Sequence, residues 1–173
     1  MNHKFHCKRI GNLHPDTLFK LSHNIVNLNY EVCRDFPASI IQVSDKLDSE
    51  LLDLVKMDLS SLIKIKYDAV TNIARMSPKS YLAEHNDLST YSSNANRLRE
   101  IIKLQIPIIT NDKVFMMWKY SQSQTQVEHL EVGGVYVINN LIRHSVVNGG
   151  TEYRYNLTVR YAIDAIVDQS IID

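Results

Sequence analysis

"IIKLQIPIITNDKVFMMWKY", residues 101–120, consists of two apolar bursts on either side of the turn-forming triplet Thr110-Asn111-Asp112. β-Branched and aromatic side chains dominate both bursts, a composition that fits the pleated surface of a sheet, so the stretch reads as two strands and their connection. Lys103 is the odd letter. A lysine in so apolar a strand either carries its ammonium out to water or meets a negative charge. Gln105, two positions on, points to the same side as Lys103.

The same texture extends in both directions. "IKIKYDAV", "TNIARM" and "YLAEH" precede the stretch, and "GGVYVINN", "RHSVVN" and "YRYNLTVRYAID" follow it, which makes about eight short strands from residue 64 onward. Their separators, "SPKS", "NDLSTYSSNAN", "TND", "EVGG" and "NGGTE", carry the Pro, Gly, Asn, Asp and Ser of turns. Many short strands joined in this way predict a mainly β sandwich or barrel such as a jelly roll.

Before residue 64 the period is helical. Pro15 and Asp16 sit where a helix begins, with Leu18, Leu21, Ile25 and Leu28 at helical spacing, which predicts a first helix over about 15–24. Asp48 and Ser49 can cap "ELLDLVKMDLSSLIK", whose Leu51, Leu52, Val55, Met57, Leu59 and Leu62 form a broad apolar face. The expected organisation is a single domain over 1–173, with an N-terminal helical support region (1–63) packed on one face of a β core (64–166).

Composition narrows the function classes. Lys plus Arg and Asp plus Glu both total 19, so the formal net charge is zero, and no basic run offers a phosphate-tracking surface; nucleic acid is not an expected partner. An apolar content of 45% fits a globular core. No apolar run approaches the roughly 20 residues of a membrane helix, and the first residues are too polar for a signal peptide. Cys7 and Cys33 show neither a disulfide framework nor a zinc spacing. The expectation is a soluble chain of the cytoplasm, outside any membrane, with reduced thiols and an oligomeric state that the sequence leaves open.

Three residues carry candidate chemistry. His85 and Asp87, in "YLAEHND", are two apart at the end of a predicted strand and so share a side; His144 comes from a later strand. Two imidazoles and one carboxylate on one face of an octahedron leave the opposite face open, the arrangement that suits non-haem Fe(II). By spacing alone a His-x-Asp pair reads more readily as a polar surface loop, and His144 as a hydrogen-bonded core histidine. Arg154, ten residues after His144, can grip a carboxylate with two parallel hydrogen bonds if it faces inward. Arg160 shares its side of the strand.

Taken together, "NIARMSPKSYLAEHND", "KLQIPIIT", "GGVYVINNLIRHSVVN" and "EYRYNLTVRYAID" resemble, in the same order, the strands of the aspartyl/asparaginyl β-hydroxylase and proline-hydroxylase-like group. The resemblance covers roughly residues 70–164. It implies a double-stranded β-helix, or cupin-like jelly roll, and an Fe(II)- and 2-oxoglutarate-dependent dioxygenase. Such an enzyme hydroxylates an amino acid, a peptide or an aspartyl/asparaginyl-type side chain with dioxygen and releases succinate and CO2.

The resemblance assigns His85, Asp87 and His144 to the iron and Arg154 to the distal carboxylate of 2-oxoglutarate. Lys103 and Gln105 stand where animal members carry an arginine and a histidine for the near carboxylate, whereas Asp87 is a ligand that those members lack. Substrate contacts are expected from the polar stretch after Asp87, at Tyr91, Arg97 and Arg99, with Trp118 as core packing or a further contact. The competing reading is a non-oxygenase cupin-type protein that binds a metal or small ligand, as an isomerase or epimerase or without catalysis.

Overall fold

A computed structural model describes residues 6–32, 41–44, 46–64, 70–87, 101–139 and 141–162. The predicted helices form where their caps and periods place them. Helix α1 (Pro15–Ile25) starts with proline in its first turn and with the His14 ring accepting from the Asp16 amide at 3.3 Å. Helix α2 (Ser49–Leu62) is capped by Asp48, whose carboxylate accepts from the Glu50 amide at 2.9 Å. Leu51, Val55 and Leu59, four apart, form the buried stripe of α2, as Thr17, Leu21 and Ile25 do for α1.

The strands make two antiparallel sheets. The larger has seven strands: β1 (Cys7–Asn12), β2 (Glu31–Val32), β3 (Ile41–Ser44), β4 (Val70–Met76), β6 (Ile101–Ile109), β9 (Gly134–Ile138) and β11 (Arg154–Ala162), in the spatial order β1-β9-β6-β11-β4-β3-β2. The smaller has β5 (Ser80–His85), β7 (Val114–Lys119), β8 (Thr125–Glu128) and β10 (Arg143–Asn148), in the order β5-β10-β7-β8. This is the expected mainly β jelly roll. The N-terminal region supplies β1, β2 and β3 to the large sheet as well as the two helices.

Strands β4 and β9 of the large sheet divide their apolar side chains between two cores. On β6, Leu104, Ile106 and Ile108 pack outward with Leu21, Ile25, Val55 and Leu59 of the helices, joined by Val135 and Val137 of β9 and Leu157 and Val159 of β11. Full burial of each such aliphatic chain stabilises the fold by about 1.5–3 kcal/mol. The inner face joins Met76, Tyr136 and Ile138 to Leu82, Met116, Trp118 and Val146 of the small sheet. Alternation therefore turns Lys103 and Gln105 of β6, and Arg154, Asn156 and Thr158 of β11, into the space between the sheets.

The two ends of this sandwich differ. At one end Asn148, fully buried, ties three turns together. Its amide nitrogen donates to the carbonyls of Ser77 (3.0 Å), Glu152 (2.9 Å) and Met76 (3.4 Å), and its oxygen accepts from the Gly150 amide (3.2 Å) and from Asn111 (3.4 Å). Lys79, at φ 47°, turns the β4–β5 connection there, a left-handed conformation that glycine adopts at lower cost. The other end is where β5 finishes and β10 begins.

Candidate metal centre

His85 ends β5, His144 lies at the start of β10, and the two are cross-strand partners. Sheet alternation alone would not place them so. Between His144 and Val146, two steps on β10 are matched by three on β5, from His85 to Leu82. This bulge puts His85 on the same inner face as Leu82, although the two are an odd number of residues apart.

Asp87 follows one turn-forming residue later. One ligand atom from each of His85, Asp87 and His144 lies within 4.8 Å of the others, so the structure brings the three together. Asp87 Oδ1 is 3.8 Å from His85 Nε2 and 3.7 Å from His144 Nε2, and the two rings lie 4.5 Å apart at 54°.

Both rings are oriented from behind. His85 Nδ1 lies 2.8 Å from the Ala83 carbonyl and His144 Nδ1 2.9 Å from that of Ile142. A carbonyl only accepts, so each Nδ1 carries the proton and each Nε2 keeps its lone pair for the shared point. Lys103 answers the question its strand raised: its ammonium sits 2.9 Å from Asp87 Oδ2, with both side chains about nine-tenths buried.

Electrostatics reinforce the arrangement. Burial alone would raise the Asp87 carboxyl, but Lys103, His144 and His85 together hold it below its ordinary value. Burial and then Lys103 push His144 down from 6.5 to about 4, against the pull of Asp87, so its ring is neutral near pH 7. Between those two values the unfolded chain binds a proton that the folded chain refuses. Stability of the metal-free protein therefore falls as pH drops from about 6.5 toward 4, by up to about 3 kcal/mol from this group, and is unaffected by it above that window. Urea unfolding at pH 7 and pH 4.5 measures the difference, and His144→Gln removes it.

A sequence model of the family described as aspartyl/asparaginyl beta-hydroxylase matches residues 49–162 of the 173. The chain belongs to that family. Comparison with curated protein sequences finds no significant match.

This β-hydroxylase-family chain also resembles solved structures in fold. A 2OG-Fe(II) oxygenase family oxidoreductase from Burkholderia pseudomallei shares 15% identity over 88% of this chain and 80% of its own, with a TM-score of 0.63. A Pseudomonas putida prolyl-4-hydroxylase shares 12% over 92% and 93%, at 0.62. HygX from Streptomyces hygroscopicus, solved with nickel, 2-oxoglutarate and hygromycin B bound, shares 14% over 91% and 82%, at 0.65.

In this β-hydroxylase-family chain, the inner face of β11 carries Arg154, 6% exposed. Its terminal nitrogen donates to Asn156 at 3.3 Å, and Asn156 in turn donates to Thr158, while Arg154 Nε has no partner among the described residues. Burial lowers Arg154 to about 10, so the guanidinium keeps its charge at neutral pH. Gln105 Oε1 and Trp118 Nε1 are likewise buried without a partner among the described residues, and Trp118 is the cross-strand neighbour of His144. Arg160 pairs across from Lys103 and is less buried than Arg154. Tyr91, Arg97, Arg99 and Cys33 lie outside the described residues.

Sequence reasoning did not foresee the pairing of Lys103 with Asp87, 16 residues apart. Nor did it anticipate the contacts of His6. That ring lies 4.9 Å from Trp118, with Nε2 3.2 Å from Glu128, and so bridges β1 and the edge strand β8. Neither contact leaves a local signal in the sequence.

Proposed function

We propose that this chain is an Fe(II)- and 2-oxoglutarate-dependent dioxygenase that hydroxylates an amino acid, a peptide or an aspartyl/asparaginyl-type side chain. The observation that carries the reading is the convergence of His85 Nε2, His144 Nε2 and Asp87 Oδ1 on one point at the end of the sandwich where β5 finishes and β10 begins. Two imidazoles and one carboxylate fit a divalent iron and leave coordination positions for other ligands. The buried Arg154 cation, with an unpartnered nitrogen and no acidic partner among the described residues, fits the far carboxylate of a dicarboxylic acid.

Bound iron would supply dioxygen activation coupled to oxidative decarboxylation of 2-oxoglutarate, giving succinate, CO2 and one oxygen atom for the substrate carbon. The chain's own residues do the rest. His85 and His144 present lone pairs in orientations fixed by the Ala83 and Ile142 carbonyls. Arg154 holds the dicarboxylate at its far end, and Gln105 lines the space between. Leu82, Met116, Trp118, Val146, Tyr136 and Ile138 keep that space poor in water. Substrate choice then rests with the segment that follows Asp87, including Tyr91, Arg97 and Arg99.

Anaerobic addition of Fe(II) and 2-oxoglutarate should give a weak visible charge-transfer band, and oxygen should then yield succinate. His85→Ala is expected to lose the band and at least about a hundredfold in iron affinity, since even outer partners of metal ligands contribute tenfold to a hundredfold. Absence of the band in the wild-type protein at saturating additions would sink the proposal.

A further inference from the structure

Asp87 presents two different oxygens. Oδ1 faces both histidines, at 3.8 and 3.7 Å, while Oδ2 is held by the Lys103 ammonium at 2.9 Å. Lys103 comes from the opposite sheet, on β6, and its position is itself fixed: Leu104 beside it is fully buried against the helices, and Lys103 pairs with Ile138 on one side and Arg160 on the other. The carboxylate therefore cannot turn both oxygens toward the histidines without leaving a nine-tenths-buried ammonium without its counter-charge, which is a costly exchange.

We infer that Lys103 is a positioning residue that restricts Asp87 to one-oxygen metal ligation and thereby keeps a coordination position open. The inference rests on the metal reading above and deepens it. An octahedral ion has six positions. Two histidines and one carboxylate oxygen occupy three; a chelating cosubstrate takes two, and one remains for dioxygen. A carboxylate bound through both oxygens would fill that last position. The lysine therefore acts through the carboxylate, by occupying the oxygen that must stay off the metal. Its charge also neutralises Asp87 before any ion arrives, which keeps the ligand set in place in the metal-free protein.

Manganese(II) alone provides the probe, because the relaxation of water protons counts exchangeable waters on the bound ion. In wild type the expected count is three. Lys103→Met should lose roughly one-third of the bound-state relaxivity as Asp87 closes on the metal through both oxygens. Lys103→Arg, which keeps a charged donor for Oδ2, should restore it. Unchanged hydration in Lys103→Met, with 2-oxoglutarate binding weakened instead, would overturn the inference and assign the lysine to the cosubstrate.

If wild type shows no bound manganese at all, the metal reading fails and this inference with it. Should Lys103→Met not fold, infrared difference spectra of wild type with and without zinc decide the matter. A wide separation between the two carboxylate stretches supports one-oxygen ligation, and a narrow one refutes it.

Discussion

Arg154→Met is expected to weaken 2-oxoglutarate binding by at least about 30-fold, while raising the stability of the ligand-free protein. The first effect follows from removing one partner of a buried charged pair, a change of about 2–5 kcal/mol. The second follows from the same burial. Without ligand, Arg154 is a fully charged guanidinium that is 6% exposed, has an unpartnered Nε and has only Asn156 as a hydrogen-bond partner among the described residues. Replacing such a group by an apolar chain of similar volume stabilises a fold by about 1 kcal/mol or more, even after Asn156 loses a donor. Titration of 2-oxoglutarate and urea unfolding of the same variant measure both signs. A variant that loses stability and leaves binding unchanged would make Arg154 a structural residue.

Asn148→Ala should cost about 3–5 kcal/mol, the largest stability loss expected from a single polar side chain in this fold. The substitution strips the buried Met76 carbonyl and the part-buried Ser77 and Glu152 carbonyls of a donor and the buried Gly150 amide of an acceptor; Ser77 keeps the Ser80 hydroxyl, and each group left orphaned costs about 1–3 kcal/mol. Asn148→Asp separates geometry from chemistry. It keeps the shape and one acceptor but sets a carboxylate against three carbonyl oxygens, so at neutral pH it should be no better than alanine. Urea unfolding gives both values, and a loss under about 1 kcal/mol for either variant would contradict the role assigned to this side chain.

What the sequence made legible follows from which interactions are local. Caps and helical period define α1 and α2 almost to the residue, because Pro15, Asp48 and the stripe Leu51-Val55-Leu59 act within one or two turns. Strands with an apolar face, such as β6 and β7, were equally plain. Strands β1 and β8 were not: "CKRIGN" and "TQVE" sit at sheet edges and are mostly solvated, so they lack the alternation that marks a buried strand.

The candidate site was legible only as an order of residues. His85, Asp87 and His144 meet through a bulge and a register that no letter pattern displays. Alternation left Arg154 and Arg160 on one side, and only the depth of β11 in the sandwich separates the buried guanidinium from the partly exposed one. Lys103 posed its question in the sequence, but the answer required a carboxylate from the other sheet.

The pairing of β1 with β9 has a consequence for synthesis on the ribosome. Strand β1 finds its partner only when residues 134–138 have been made, and the helices find β11 complete only at Ala162. From Leu62 to Ala162 is 100 residues, which take roughly 5–20 seconds to translate. Through that interval Leu21, Ile25, Val55 and Leu59 have no complete sheet to cover. The apolar stripes of the two helices therefore stay uncovered through the synthesis of the sheet that covers them.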